Sequence, residues 1–214
     1  FHKFRNARPR LANRVLYIHR ITSGVFSAHI TRPLAVCVFI GFKQGMDYMP
    51  GLKEETAQNV VNYVDGLKDQ LVKFRRDFHM HPELGFVEYR TTSIIVSELR
   101  EAGYEVLVGK DACKDDARMG LPSEEDDKAA IARAIEEGAD KQFVESIAGG
   151  HTGAVAILKN GEGPVIGMRF DIDCLPLNET TVEGHFPADH GFISKHPASM
   201  HACGHDAHIT LSLI

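Results

Sequence analysis

The stretch Met200–His208, MHACGHDAH, constrains this chain more than any other nine residues. It sets Cys203, Asp206 and three histidines, His201, His205 and His208, directly ahead of an apolar run that ends at Ile214. Thiolate and imidazole are the donors that hold zinc-class ions. Cys203 and His205 are two positions apart, so they cannot share one face of a helix. They can converge on one ion from a turn just ahead of a helix N-terminus. That end of a helix also favours the thiolate a metal requires. The pattern predicts a metal-binding turn followed by a helix over 207–214.

A second acidic segment points to the same place. The run VIGMRFDID predicts a strand over 165–172, apolar enough to be a central strand of a covered sheet. It ends in Asp171 and Asp173, and ligands in α/β sheets sit beyond the carboxyl ends of strands. Asp173 is the candidate catalytic residue. It either orients a ligand imidazole from behind or bridges two ions, and the spacing leaves both open. Asp171 divides evenly between a role in the site and a structural one.

The remaining chain reads as scaffold. Val60, Val64, Leu67, Leu71, Phe74 and Phe78 alternate by four and three, one helical stripe over 55–78 with Gly66 as its weak point. His81-Pro82 breaks that helix. A second helix is predicted over 92–102, stopped by Gly103, and a short strand over 104–108. Residues 110–150 form an acidic helical insertion, with Ser123 and Asp126 as a capping box and Gly138 as a stop. A short helix over 143–148 ends at Gly149-Gly150. A strand over 153–159 meets the strand over 165–172 through an Asn160-Gly161 turn. Together these predict an α/β fold, a mixed sheet covered by helices.

Charge divides the chain at its first methionine, Met46. Residues 1–45 hold eight cations and no acid, which leaves 16 of the 24 cations against all 29 acids in the rest. A basic, acid-poor leader has the composition of a targeting segment, but it lacks a sustained amphipathic period and reads as extraneous sequence ahead of Met46. It is therefore expected to pack outside the core. The apolar run Leu34–Phe42 is short of the roughly 20 residues that span a bilayer. The acidic body argues against a nucleic-acid partner, and no membrane partner is expected. Four scattered cysteines are not a disulfide framework and fit a reducing, cytoplasmic setting.

RFDIDCLPL, then MHACGHDAH some thirty residues on, resembles the amidohydrolase branch of metallopeptidase family 20, and FHMHPELGFVEYRTT is similar to that branch's opening motif. The acidic insertion, GGHTG and RFDID resemble the aminobenzoyl-glutamate hydrolase type most. The likeness covers residues 71–214, as the N-terminal part of a truncated zinc-peptidase-like catalytic domain. It implies two divalent ions, manganese or zinc, with Cys203 and His205 as ligands and Asp173 supporting them. It implies hydrolysis of the amide in p-aminobenzoyl-glutamate or a related N-acyl amino acid. The general-base Glu, the remaining ligands and a smaller dimerisation domain would lie beyond Ile214, so the chain alone is expected to be inactive. The parent enzyme would be dimeric or carry a homologous second subunit. Cys174 stands where this branch usually has Ala.

Plainer readings hold for several neighbours. His201 and His208 read as supporting or packing residues, Asp206 as a helix cap, and His79 and His81 as residues of a helix end. His151, in a Gly-rich turn, is a candidate for the cleft wall, and Cys37 and Cys113 read as ordinary thiols. The alternatives to an enzyme are a non-catalytic metal-binding module and a redox protein using Cys174 and Cys203. Cys203→Ser replaces a thiolate by a poor neutral donor. It is expected to lower bound zinc or manganese while leaving the thermal transition in place; equal metal content in variant and parent would remove Cys203 as a ligand.

Overall fold

A computed structural model describes the backbone of Arg14–Arg20, residues 54–159, Gly161 and residues 165–214. The elements in chain order are β1 (Arg14–Arg20), α1 (Glu54–Gly66), α2 (Lys68–Met80), α3 (Tyr89–Glu101), β2 (Glu105–Val108), α4 (Glu124–Glu136), α5 (Lys141–Ser146), β3 (Ala154–Leu158), β4 (Val165–Asp171), α6 (Phe186–Asp189) and α7 (His205–Ser212). The fold is α/β with a mixed sheet, strand order β2-β3-β1-β4. β1 is parallel to β3 and antiparallel to β4, and β2 is antiparallel to β3.

One apolar cluster joins the sheet to three helices: Phe78 of α2, Ile95 and Leu99 of α3, Ala156 of β3, Phe170 and Ile172 at the end of β4, and Ile209 of α7. Ile95, Ile172 and Ile209 are fully buried. A second cluster packs the insertion onto α3 through Tyr89, Ala130, Ala134, Val144 and Ile147. Helices α4 and α5 start where local chemistry dictates. The Ser123 hydroxyl accepts from Asp126 N at 3.1 Å, and the Asp140 carboxylate from Phe143 N at 2.6 Å, so each satisfies a donor left orphaned at a helix start.

Four expectations change. The stripe over 55–78 is two helices, parted at Gly66-Leu67, where Leu67 N bonds Val64 O in a tighter turn. Glycine costs the most backbone entropy in a helix, and ahead of the break the face shifts: Val60 is exposed while Ala57 is buried. The basic leader does not stay wholly outside the fold: Arg14–Arg20 pairs with β3 on one side and β4 on the other. The expected direct pairing across the Asn160-Gly161 turn is thereby replaced, since an unpaired strand edge accepts any extended backbone of suitable register. Leu34–Phe42, Cys37 and Asn160 lie outside the described residues. Finally, β4 is an edge strand, not a central one, and Val165 and Met168 are exposed while Phe170 reaches the core.

Ile172 lies between the two carboxylates at the end of β4, with its side chain in the core. Ile172→Ala is expected to cost about 2–5 kcal/mol in urea denaturation, the range for emptying a buried aliphatic site. It should also weaken metal binding more than Ile95→Ala, which empties the same core farther from the donors.

Candidate metal centre

Two loops are brought together by backbone. Leu175 and Met200 form an antiparallel bridge, each N–H bonding the other's carbonyl at 3.0 Å. Cys174 N bonds Glu83 O at 2.8 Å, fixing the turn that follows Asp173. On the other side of the bridge the chain turns through Gly204, which has φ +89°, a conformation that suits residues without a Cβ. Helix α7 begins at once with His205.

His205 is the pivot. Its Nδ1 lies 2.7 Å from the Asp173 carbonyl and 3.2 Å from Asp173 Oδ1. A carbonyl only accepts, so Nδ1 carries the proton and the lone pair of Nε2 faces outward. Nε2 lies 4.0 Å from Asp171 Oδ2. The hydrogen bond to Asp173 raises the His205 pKa above the ordinary imidazole value. His208, one turn along the helix, stacks on His205 with ring centroids 5.2 Å apart. Donor atoms of Asp171, His205 and His208 all lie within 4.8 Å of one another, and among the described residues this is the group able to hold a metal ion. Two imidazoles and a carboxylate fit a zinc-class or manganese ion.

Of the residues singled out in the sequence, the structure joins Asp173 to His205 and leaves Cys203 exposed on the preceding turn, outside the close group. Asp171 and His208 enter the group instead, and the signal for His208 was its i, i+3 spacing from His205 on one helix. Asp206 Oδ1 accepts from Ala207 N at 2.9 Å, so its side chain takes up a donor in the first turn of α7. It is buried, and its Oδ2 lies 2.8 Å from His79 Nδ1 and 3.0 Å from Arg75 Nε. His79 Nε2 in turn meets Glu179 Oε1 at 2.8 Å. Burial opposes the charged form of His79, but its bonds to Asp206 and Glu179 prevail and raise its pKa. Burial pushes the Cys174 thiol up to about 12, which makes it a poor nucleophile and counts against the redox alternative.

Beneath the site lie two buried acids that sequence reading missed. Glu83 accepts from Arg90 N at 3.0 Å and Thr91 N at 2.8 Å, the free donors at the start of α3. Glu88 accepts from the Thr152 hydroxyl at 2.5 Å through one oxygen, while Oε1 has no hydrogen-bond partner among the described residues. Burial pushes Glu88 up to about 8. His201 is buried too, its ring nitrogens without partners among the described residues, and burial pulls it down to about 4.

No family model matches the sequence. Individual relatives do. The chain is 42% identical to the indole-3-acetyl-aspartic acid hydrolase of Enterobacter agglomerans, over 71% of this chain and 35% of the relative. It is 39% identical to one subunit of the p-aminobenzoyl-glutamate hydrolase of Escherichia coli strain K12, over 73% of this chain and 36% of the relative. The chain belongs to metallopeptidase family 20, in its amidohydrolase branch. It spans about a third of the length of the curated relatives it matches. A solved structure, an aminobenzoyl-glutamate utilization protein from Klebsiella pneumoniae, is 40% identical over 44% of this chain and 24% of its own, with a TM-score of 0.43. Among the described residues no helix is long and apolar enough to cross a membrane.

Glu88 makes a pH-dependent prediction. Its pKa rises from 4.5 to about 8 on folding, so across that interval the native state binds the extra proton. Stability conferred by that proton is present below 4.5 and lost as pH rises through about 8. Glu88→Gln removes the titration and keeps a neutral hydrogen-bonding group. The melting temperature of the variant should match the parent at about pH 5 and exceed it at about pH 8.5, and a constant difference between the two would contradict this assignment.

Proposed function

We propose that the chain carries the metal-binding part of an amidohydrolase that cleaves p-aminobenzoyl-glutamate or a related N-acyl amino acid. The observation that supports this most is the Asp173–His205 contact, in which Nδ1 is turned to the Asp173 carbonyl at 2.7 Å. Orientation from behind fixes the tautomer of a ligand imidazole and raises its basicity. Asp171, His205 and His208 would hold a divalent ion, manganese or zinc. Cys203, exposed on the turn ahead of α7, would be a further ligand in a two-ion site. When bound, such ions supply Lewis acidity toward the amide carbonyl and toward water.

Asp173 acts as a positioning residue, and Asp171 as a donor that Arg169 holds at 2.8 Å. Glu179 is unsuited to proton transfer. Its Oε1 meets His79 and His185, both at 2.8 Å, and its Oε2 accepts from Ser194 N at 2.6 Å. Glu179 is thus committed, and on this reading none of the described residues serves as the base for the leaving amine. The missing base alone costs roughly 10²–10⁴ in rate, so the 214-residue chain is expected to bind metal and release no appreciable aminobenzoate. The whole enzyme, on this reading, is a dimer or pairs with a related subunit.

A chimera tests it. Residues 46–214 replace the matching segment of the Escherichia coli hydrolase, and release of aminobenzoate from aminobenzoyl-glutamate is followed with manganese or zinc. Metal-dependent release is expected, with a loss of at least about 10²-fold in His205→Ala. Asp173→Asn should lower metal affinity roughly 10- to 100-fold, the usual effect of removing an orienting partner. A folded, metal-loaded chimera without turnover would leave the non-catalytic metal-binding module as the better reading.

A further inference from the structure

The acidic insertion builds a second polar site, outside the metal centre. Arg118 is its core: the side chain is 7% exposed, and its Nε has no hydrogen-bond partner among the described residues. Arg118 Nη1 donates to the Gly149 carbonyl, and Nη2 donates to Asp115 Oδ1 at 2.8 Å. His151 Nε2 meets the same Asp115 oxygen at 2.6 Å, and Lys110 Nζ approaches the other at 3.3 Å. Three cationic or donor groups therefore surround one carboxylate. Gly150 permits the close approach, because a Cβ there would lie 3.4 Å from Arg118 Nη1 and 2.9 Å from Leu121.

The occupant is open to solvent. Asp115 sits on a short 3-10 turn, Asp115–Ala117, and its side chain is 57% exposed. Arg118 is buried and braced, so the carboxylate can leave while the receiving groups stay. A guanidinium fork with an unused N–H matches the planar geometry of an incoming carboxylate.

Hydrogen bonds tie this site to the metal centre. Thr152, next to His151, bonds Glu88, and Cys174 N, next to Asp173, bonds Glu83, so both loops rest on one short segment.

We propose that Arg118 and His151 form a specificity subsite that receives the side-chain carboxylate of an N-acylated dicarboxylic amino acid, with Asp115 as its internal placeholder. The proposal rests on the amidohydrolase reading above for the position of the amide. An aspartate or glutamate conjugate carries its second carboxylate two or three carbons beyond the carbon that bears the amide nitrogen, whereas a glycine conjugate has none to offer.

The full 214-residue chain is titrated with N-acetyl-L-aspartate and with N-acetylglycine, and the Nε–H resonance of Arg118 is followed by NMR. Saturable movement with the aspartate conjugate is expected, at a Kd roughly tenfold lower than for the glycine conjugate, as one charge-assisted pair allows. Asp115→Asn removes the competing charge and should tighten the aspartate conjugate alone. Arg118→Gln should bring the two ligands to equal Kd. Equal affinities in the parent, an unmoved Arg118 resonance in both parent and Asp115→Asn, or a preference that survives Arg118→Gln would each overturn the subsite. Should Arg118→Gln fail to fold, the parent and Asp115→Asn titrations decide. Hydrolysis by the chimera is scored separately: turnover with no Arg118 response sinks the subsite alone, and an Arg118 response without turnover sinks only the catalytic reading.

Discussion

Burial of Ile172 and Ile209 in one apolar cluster holds the donor-bearing segments in place. Each fully buried aliphatic side chain contributes about 1.5–3 kcal/mol relative to exposure. In an extended chain alternate side chains take opposite sides, so with Phe170 and Ile172 in the core, Asp171 and Asp173 are turned away from it. Ile209 does the same for α7, setting the rotation at which His205, one turn before it, and the adjacent His208 emerge. The donors are thus placed by apolar residues that touch no ligand. A metal can select among ready-made positions, with little ordering left to drive.

The segment between the two loops, residues 178–199, has little regular structure beyond the four residues of α6. Long irregular loops are entropically costly unless something ties them down. Here the tie is polar. Arg75, Asp206, His79, Glu179 and His185 form a continuous chain of contacts from α2 and the first turn of α7 into the loop. Buried ion pairs return their desolvation cost only when every lone pair is used. Glu179 takes three donors across its two oxygens, and Asn178 Oδ1 accepts from Ala198 N at 2.8 Å. His196 completes the anchor by reaching Pro82 O at 2.7 Å and Glu137 Oε1 at 2.6 Å.

What sequence could reveal depended on whether the signal was local. The Ser123 cap, the stop near Gly138 and the strands over 105–108, 154–158 and 165–171 are written in a few neighbouring residues, and they were legible. Strand partners are not written locally, so nothing in RVLYIHR announced that it would lie between β3 and β4. The metal loop was legible as chemistry because its donors are dense. The choice among donors was harder, since Asp171 and His208 acquire their place from the β4 end and the α7 rotation. Reading His79 as a helix-end residue caught its position but missed Glu179, one hundred residues away, which makes it a bridge. Arg118 gave no signal at all: in sequence it is one cation in an acidic stretch.

One short segment, PELGFVEYRTT, carries two fully buried acids in different hydrogen-bonding settings. Burial raises the pKa of Glu83, and two backbone N–H groups at the start of α3 oppose that shift. Glu88 meets one hydroxyl, and the charges of Asp173 and Glu83 raise its pKa further beyond the effect of burial. A full negative charge on Glu88, near Asp173, would repel the carboxylate of any acidic substrate. Kept neutral, Glu88 fills the same volume and leaves the field near His205 to the two aspartates. The cost of burying an acid is met by holding its proton, so the electrostatics of the site rest on a residue that touches none of the donors.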